Sequence, residues 1–217
     1  MWYIDNMSLD LSSISETGRW TAKCVPLTDE HLDRMVLAVE LVRQRLNRAA
    51  QALEAAGVTY AVVGGNAVAA WVSTIDPAAA RNTVDVDLLI PREELAQAIA
   101  AMEAAGFIYS HTFGVHLFVD GPQGKAREGV HLLFTHERVR ETDEIETPGL
   151  ESTERLGERR VIDLESLVTM KLTSFRDKDR THLRDMLEVG LIDAHWLNRL
   201  PDPLRPRLQQ LLDDPNG

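Results

Sequence analysis

The sequence predicts an α/β body followed by a helical C-terminal part. Three observations predict it. Short apolar runs stop abruptly at glycine or proline, segments of helical periodicity separate them, and from Asp163 onward only the helical pattern remains. The 217 residues are 44% hydrophobic, enough to bury a core and too apolar for a wholly disordered chain. The expected organisation is an irregular arm over 1–27, an α/β (α+β) domain over 28–160, and a helical region over 161–217 packed on it.

In chain order, Thr28-Asp29-Glu30 is a helix start, a capping hydroxyl before acids in the first turn. Leu32, Met35, Val36, Val39, Val42, Leu46, Ala50 and Leu53 recur every three or four residues, and Gly57 closes this long amphipathic helix. Tyr60 to Val63 is a short buried strand, broken by Gly64-Gly65, from which a short helix over Asn66 to Trp71 opens. Thr83 to Ile90 is a second strand, with Val84, Val86 and Leu88 on one side and Asp85, Asp87 and Leu89 on the other. A helix from Arg92 to about Ala105 stops at Gly106.

Phe107 to Tyr109, Val115 to Val119 and Gly129 to Phe134 form three more strands, the last two joined by the turn-rich Asp120-Gly121-Pro122-Gln123-Gly124. Residues 136 to 160 are charged and unpatterned, a long surface excursion, with a brief strand at Val161-Ile162. Leu164 to Leu172 and Leu183 to Leu187 carry helical spacing, and two shorter helices come after them near 191–199 and 203–213.

Charge and composition exclude several functions. The net charge is −11, from 23 basic and 34 acidic residues, so the mean field repels nucleic acid and anionic membrane and leaves only a local basic patch for either. Cys24 is the lone cysteine, which rules out an intramolecular disulfide or a multi-cysteine zinc site and suits a reducing cytoplasm. Met1-Trp2-Tyr3-Ile4-Asp5 is no secretory leader, and no apolar run approaches the roughly 18 residues of a membrane span. The expected setting is cytoplasmic, away from membrane.

Two short motifs carry chemistry. A strand that ends in Gly64-Gly65 and turns straight into a helix at Asn66 exposes backbone N–H groups at the positive end of the helix dipole, a phosphate site. Asp85 and Asp87 lie two apart on one strand face, so their carboxylates are close and repel unless a cation sits between them. The apolar flanks say that strand is buried, where two unpaired carboxylates cost several kcal/mol. Oxygen-bound magnesium or manganese relieves the conflict.

Together, Val63-Gly64-Gly65-Asn66-Ala67 and, about twenty residues on, Thr83-Val84-Asp85-Val86-Asp87-Leu88 resemble the signature of the nucleotidyltransferase superfamily with the polymerase-β-like fold. Arg81-Asn82-Thr83-Val84-Asp85-Val86-Asp87 further resembles the Arg-x-Thr-x-Asp-x-Asp of its AbiEii-type toxin branch. So do Asp163 to Lys171, like the helix that there ends in a lysine, and Arg176 to Met186, like the following Arg-x-Lys-Asp-x-x-Asp segment with His182 in place of the second aspartate. The resemblance runs from about residue 35 to 190. It implies a small mixed sheet flanked by helices and transfer of an NMP from an NTP to a hydroxyl on RNA (tRNA among them), protein or a small molecule. It also implies a toxin–antitoxin setting, Mg²⁺ or Mn²⁺ on Asp85 and Asp87, and nucleotide contacts from Gly64, Gly65, Asn66, Lys171, Arg176 and Lys178.

The superfamily supplies a third carboxylate from a later strand, and here that position in Gly129-Val130-His131-Leu132-Leu133-Phe134 holds His131. As a neutral ligand a histidine suits manganese or zinc better than magnesium, and free it is a general base near its ordinary pKa. Two readings stay open: an active transferase with Asp85, Asp87, His131 and Lys171 as its catalytic residues, or a degenerate domain that binds nucleotide or a partner without turnover. A third is an acidic cleft for a basic protein. Glu128, Asp120 and Glu137 are the nearby carboxylates, and His116 is a second histidine on the neighbouring strand. Arg176, Arg180 and Arg184 would share one face of a continuous helix.

Overall fold

A sheet of seven strands organises the protein, and its order explains where the site forms. The computed structural model describes residues 28–215. The expectations for the arm over 1–27 and for Cys24 lie outside the described residues. The chain divides into Met1–Met35 and Val36–Gly217. Of the first unit the described part is the opening of α1 (Asp29–Ala55), where Thr28 Oγ1 faces the ring of His31 at 3.0 Å. The remainder of α1 and every later element belong to the second unit.

Burial on α1 begins at Val42 and continues through Leu46, Ala49, Ala50 and Leu53. Val36 and Val39, expected to be on the packed stripe, are exposed. Gly57 takes a left-handed backbone (φ 72°), as its position after the helix requires. The strands are β1 (Ala61–Val63), β2 (Val86–Ile90), β3 (Phe107–Thr112), β4 (Val115–Asp120), β5 (Val130–Phe134), β6 (Thr153–Leu156) and β7 (Arg159–Ile162). Their order is β3-β4-β5-β2-β1-β7-β6, a mixed sheet: β2 with β5 and β1 with β7 are parallel, the other pairs antiparallel.

The two central strands are β2 and β1. All three residues of β1 are buried, and four of the five of β2. The half-buried exception is Asp87, a charge in an otherwise sealed strand. α2 (Gly64–Val72) is apolar nearly throughout because it is covered on both sides, by β1 and β2 beneath and by α4 (Leu164–Ser174) and α5 (Asp177–Glu188) above. The indole of Trp71 donates to the Ile162 carbonyl at 3.0 Å and pins α2 to β7. α3 (Leu95–Ala104) comes after a 3-10 turn at Arg92–Glu94, and α6 (Arg205–Asp213) ends the described chain.

The C-terminal part of the excursion expected over 136 to 160 is a hairpin. β6 is the edge strand of the sheet, where the charge of Glu154 and Arg155 is tolerated, and β7, between β6 and β1, extends the expected strand at Val161-Ile162 back to Arg159. Among the described residues no helix is long and apolar enough to cross a membrane.

Candidate active site

The site starts at the junction of β1 and α2. Val63, the N-cap of α2, supplies no capping side chain, so the first amides of α2 keep free donors. Gly64 is left-handed (φ 67°), and a Cβ there would stand 1.9 Å from Asp87 Oδ2. Glycine is therefore required twice over, by the backbone conformation and by the approach of the carboxylate. β1 and β2 pair antiparallel with Val63 opposite Asp87, which fixes that approach.

Asp85 lies in the bend just before β2, not in the strand as expected. Asn66 Nδ2 donates to the Asp85 carbonyl at 2.7 Å and holds this bend against α2. Thr83 Oγ1 donates to the Asp85 carboxylate. β5 runs parallel to β2 with His131 opposite Asp87. One ligand atom from each of Asp85, Asp87 and His131 lies within 4.8 Å of the others. The donor set of two carboxylates and an imidazole fits a divalent cation.

Basic groups of the protein already lean into this cluster. His131 Nδ1 is 3.6 Å from Asp87 Oδ1, and Lys178 Nζ is 3.9 Å from Asp85 Oδ2. Contact with Asp87 raises the His131 pKa above its ordinary value, helped by the charges of Asp87 and Asp85 and opposed by burial. Burial pushes Asp85 up, but the Thr83 hydrogen bond and the Lys178 charge outweigh it and hold the carboxyl below its usual range.

These groups open into a cleft of about 390 Å³. Gly64, Asp85, Asp87 and His131 line it from the sheet, Lys171, Arg176 and Lys178 from α4 and α5, and residues 137–140 from the loop after β5. Gly65 and Asn66 are not among the lining residues, the first packing beneath Thr83.

Lys171 is buried, and its Nζ donates to Asp179 Oδ1 at 2.9 Å. Asp179 is fully buried and also accepts from Ser174 and from Arg176 Nε, the latter at 2.7 Å. Burial alone would raise its pKa; the Arg176 bond, the Lys171 charge and the Ser174 bond together drive it far below the usual carboxylate range. The turn between α4 and α5 makes this convergence possible. Phe175 sits there in a left-handed conformation (φ 44°), and Asp163 caps α4 by accepting from Ser166 N at 2.9 Å. α5 runs unbroken past Arg180 and Arg184, with Arg176 as its N-cap and the Arg176 carbonyl accepting from Arg180 N at 2.9 Å. The expected spacing of the three at steps of four therefore holds, but each side chain is engaged within the protein. Arg176 turns to Asp179, Arg180 pairs with Asp177, and Arg184 reaches the Asp214 carbonyl.

The model of the family described as "Uncharacterised nucleotidyltransferase" matches residues 27–209. The chain belongs to this family. Among curated proteins, none matches the sequence. Solved structures share the nucleotidyltransferase fold. The solution structure of the antibiotic-resistance factor ANT(2'')-Ia is 16% identical at a TM-score of 0.53, over 80% of this chain and 94% of that one. Its crystal structure in complex with adenylyl-2''-tobramycin is 17% identical at the same TM-score of 0.53, over 80% and 99%. An antigenic nucleotidyltransferase-like protein from Paracoccidioides brasiliensis is 19% identical over 88% and 92%, at a TM-score of 0.45.

In this family member the other candidates sit apart from the cluster. His116 pairs with Leu132 and so points to the sheet face opposite His131; it bonds Tyr109 Oη at 2.7 Å and stacks on His111 with ring centroids 3.9 Å apart. Glu128 pairs with Arg127, Asp120 with Arg48, and Glu137 with Arg92. His182, in the expected aspartate position, is pushed down to about 4 by burial and by the Lys171 charge. Sequence reasoning missed Asp179 as the hub of the α4–α5 charges. Its signal was present, an acid eight residues after Lys171 and three after Arg176, but only the turn at Phe175 makes those spacings meet.

Proposed function

We propose that the protein transfers an NMP from an NTP to a hydroxyl acceptor in a metal-dependent reaction. The observation that carries this is the convergence of Asp85, Asp87 and His131 within 4.8 Å beside the uncapped start of α2. Asp85 and Asp87 would hold Mg²⁺ or Mn²⁺, which when bound neutralises charge on the triphosphate oxygens. The uncapped start of α2 at Gly64 favours phosphate, and Lys178 and Arg176 face the same cleft. The acceptor oxygen attacks the α-phosphorus, the bond to the bridging oxygen breaks, and pyrophosphate leaves. His131 is placed either to complete the metal set or, left free of it, to take the hydroxyl proton.

Lys171 acts in this reading through Asp179, which fixes Arg176 at the cleft. The AbiEii-type branch, with the toxin role and cytoplasmic setting it implies, belongs to the same proposal; the resemblance of the Thr83 to Asp87 and Arg176 to Asp179 segments is what supports the branch. A second reading, a domain that binds nucleotide without turnover, is favoured by one feature: His131 stands where a third carboxylate is expected.

The experiment supplies α-labelled NTPs with Mg²⁺ or Mn²⁺ and a panel of acceptors: tRNA, proteins, and an aminoglycoside such as the tobramycin of the ANT(2'')-Ia complex. Transfer with pyrophosphate release, lost in Asp85→Ala plus Asp87→Ala, supports the proposal. Transfer untouched by that double variant places the chemistry elsewhere. Saturable NTP binding without transfer to any acceptor favours the second reading, and no NTP binding in calorimetry with Mn²⁺ leaves the acidic cleft as a docking site for a basic partner.

A further inference from the structure

The loop after β5 has no regular secondary structure from Thr135 to Gly149, yet it is tightly held. Thr147, buried, closes its base: His136 N donates to the Thr147 carbonyl (3.1 Å), Thr147 N donates to the Glu137 carbonyl (2.8 Å), and Thr147 Oγ1 donates to the Phe134 carbonyl. Asp143, also buried, closes its tip by accepting from Arg140 N at 2.9 Å while its own N–H donates to the Arg140 carbonyl at 3.0 Å. Glu137 is tied to Arg92, whose guanidinium lies 3.7 Å over the Phe134 ring. Long loops anchored this way are seldom passive connections.

What the loop presents is unusual for so acidic a protein. Arg138, Val139 and Arg140 line the cleft, and all three are exposed. Every other arginine or lysine lining it has a carboxylate partner: Arg92 with Glu137, Lys171 and Arg176 with Asp179, Lys178 with Asp85. Among the described residues the side chains of Arg138 and Arg140 have none. Two lining carboxylates lack a cationic partner: Asp143, which is buried and held by the Arg140 amide, and Glu146. Among the exposed unpaired charges of this loop that line the cleft, the two arginines therefore outnumber the one acid. Across from the loop, the β3–β4 hairpin brings Gly114 and Val115 to the cleft and carries Phe113 fully exposed, in a left-handed conformation (φ 52°). The positive φ of Phe113 and of Gly114 (77°) is what a two-residue hairpin turn demands, and it leaves the Phe113 ring standing in solvent next to the lining residue Gly114.

We propose that residues 137–147 form the acceptor platform, that Arg138 and Arg140 bind a phosphate group of the acceptor, and that Phe113 and Val139 cover the part next to it. The inference rests on the transferase reading and narrows it: the acceptor carries a phosphate near its hydroxyl and is not a polycation. That phosphate belongs either to a small phosphate ester or to the end of a single-stranded nucleic acid. Guanidinium pairs suit phosphate through bidentate charge-assisted bonds, and an exposed ring suits a stacked base.

The test measures direct binding to the full chain, with the triphosphate site first saturated by a non-hydrolysable ATP analogue and Mn²⁺. The probes are a short fluorescent oligoribonucleotide with a free 3′-hydroxyl, a hexose monophosphate, and tobramycin. At least one phosphate-bearing probe binds, tobramycin does not compete, and Arg138→Gln plus Arg140→Gln weakens that probe about tenfold or more, with partial recovery in the lysine versions. Phe113→Ala decides the source: it weakens the oligoribonucleotide if the phosphate is that of a nucleic-acid end and leaves the hexose phosphate unaffected if not. Tighter binding of tobramycin than of either phosphate probe, or unchanged binding in the double glutamine variant, overturns the platform. Failure of the ATP analogue and of its GTP, CTP and UTP counterparts to bind overturns the transferase reading instead, and the same titration without them still decides whether Arg138 and Arg140 hold phosphate.

Discussion

Two clusters of charge share one cleft and are built in opposite ways. On α4 and α5, Lys171, Arg176 and Ser174 all converge on the fully buried Asp179, and every group finds its partner inside the protein. At the edge of β2, Asp85 and Asp87 are half-buried, and although Asp85 accepts from the Thr83 hydroxyl, their basic partners stand off at 3.9 Å and 3.6 Å, a half-exposed lysine and a histidine. The first is complete as it stands. The second carries like charges held together by the fold and satisfied loosely, an arrangement that a bound cation would complete. Charge that is closed upon itself holds structure; charge left open is available to a ligand.

Four changes break or sharpen this contrast, from the largest effect to the smallest. Asp85→Asn with Asp87→Asn should lower label transfer about a hundredfold or more, while the urea midpoint shifts little, because removing two neighbouring like charges relieves repulsion. A large loss of stability in that variant would mean the sheet cluster is structural too. Asp179→Ala should do the reverse. It strands Lys171 in a buried site and should cost about 3–5 kcal/mol in urea unfolding. Replacing Lys171 by Met together with Asp179 by Leu should regain part of that loss, since an apolar pair leaves no buried charge unanswered.

Gly64→Ala places a methyl group against the Asp87 carboxylate and demands a left-handed alanine. About 1–3 kcal/mol of stability should be lost, and Mn²⁺ binding measured by calorimetry should weaken as Asp87 is displaced. The smallest effect concerns pH. Asp87 raises the His131 pKa above 6.5, so their mutual stabilisation is full below 6.5 and fades as pH climbs through the raised value. A cation must displace that proton. Mn²⁺ affinity should therefore rise with pH across the same window, and His131→Asp should both tighten binding and flatten the profile.

Much of this was legible in the sequence because it is local. The periodicity from Val42 to Leu53, the glycine break after Val63, the apolar flanks of Asp87 and the stop at Gly57 each depend on neighbours in the chain. β6 was less legible, since a strand at a sheet edge does not need the apolar alternation that marks a buried one, whereas the buried Val161-Ile162 of β7 was read as a strand. The anchors of the loop after β5 were invisible for another reason. Thr147 and Asp143 read as surface polar residues, and only the closed loop gives their hydrogen bonds a target.

The sequence by itself marked the glycine break after Val63 and the Asp85-Val86-Asp87 repeat, because each is a pattern of near neighbours in the chain. Tertiary structure alone decided the rest. The parallel pairing of β2 with β5 set His131 against Asp87, and the left-handed turn at Phe175 closed Lys171 and Arg176 onto Asp179. Both depend on contacts between segments far apart in the chain or on a backbone conformation that no residue type announces. Such contacts decide which charges the protein satisfies itself and which it leaves for a ligand.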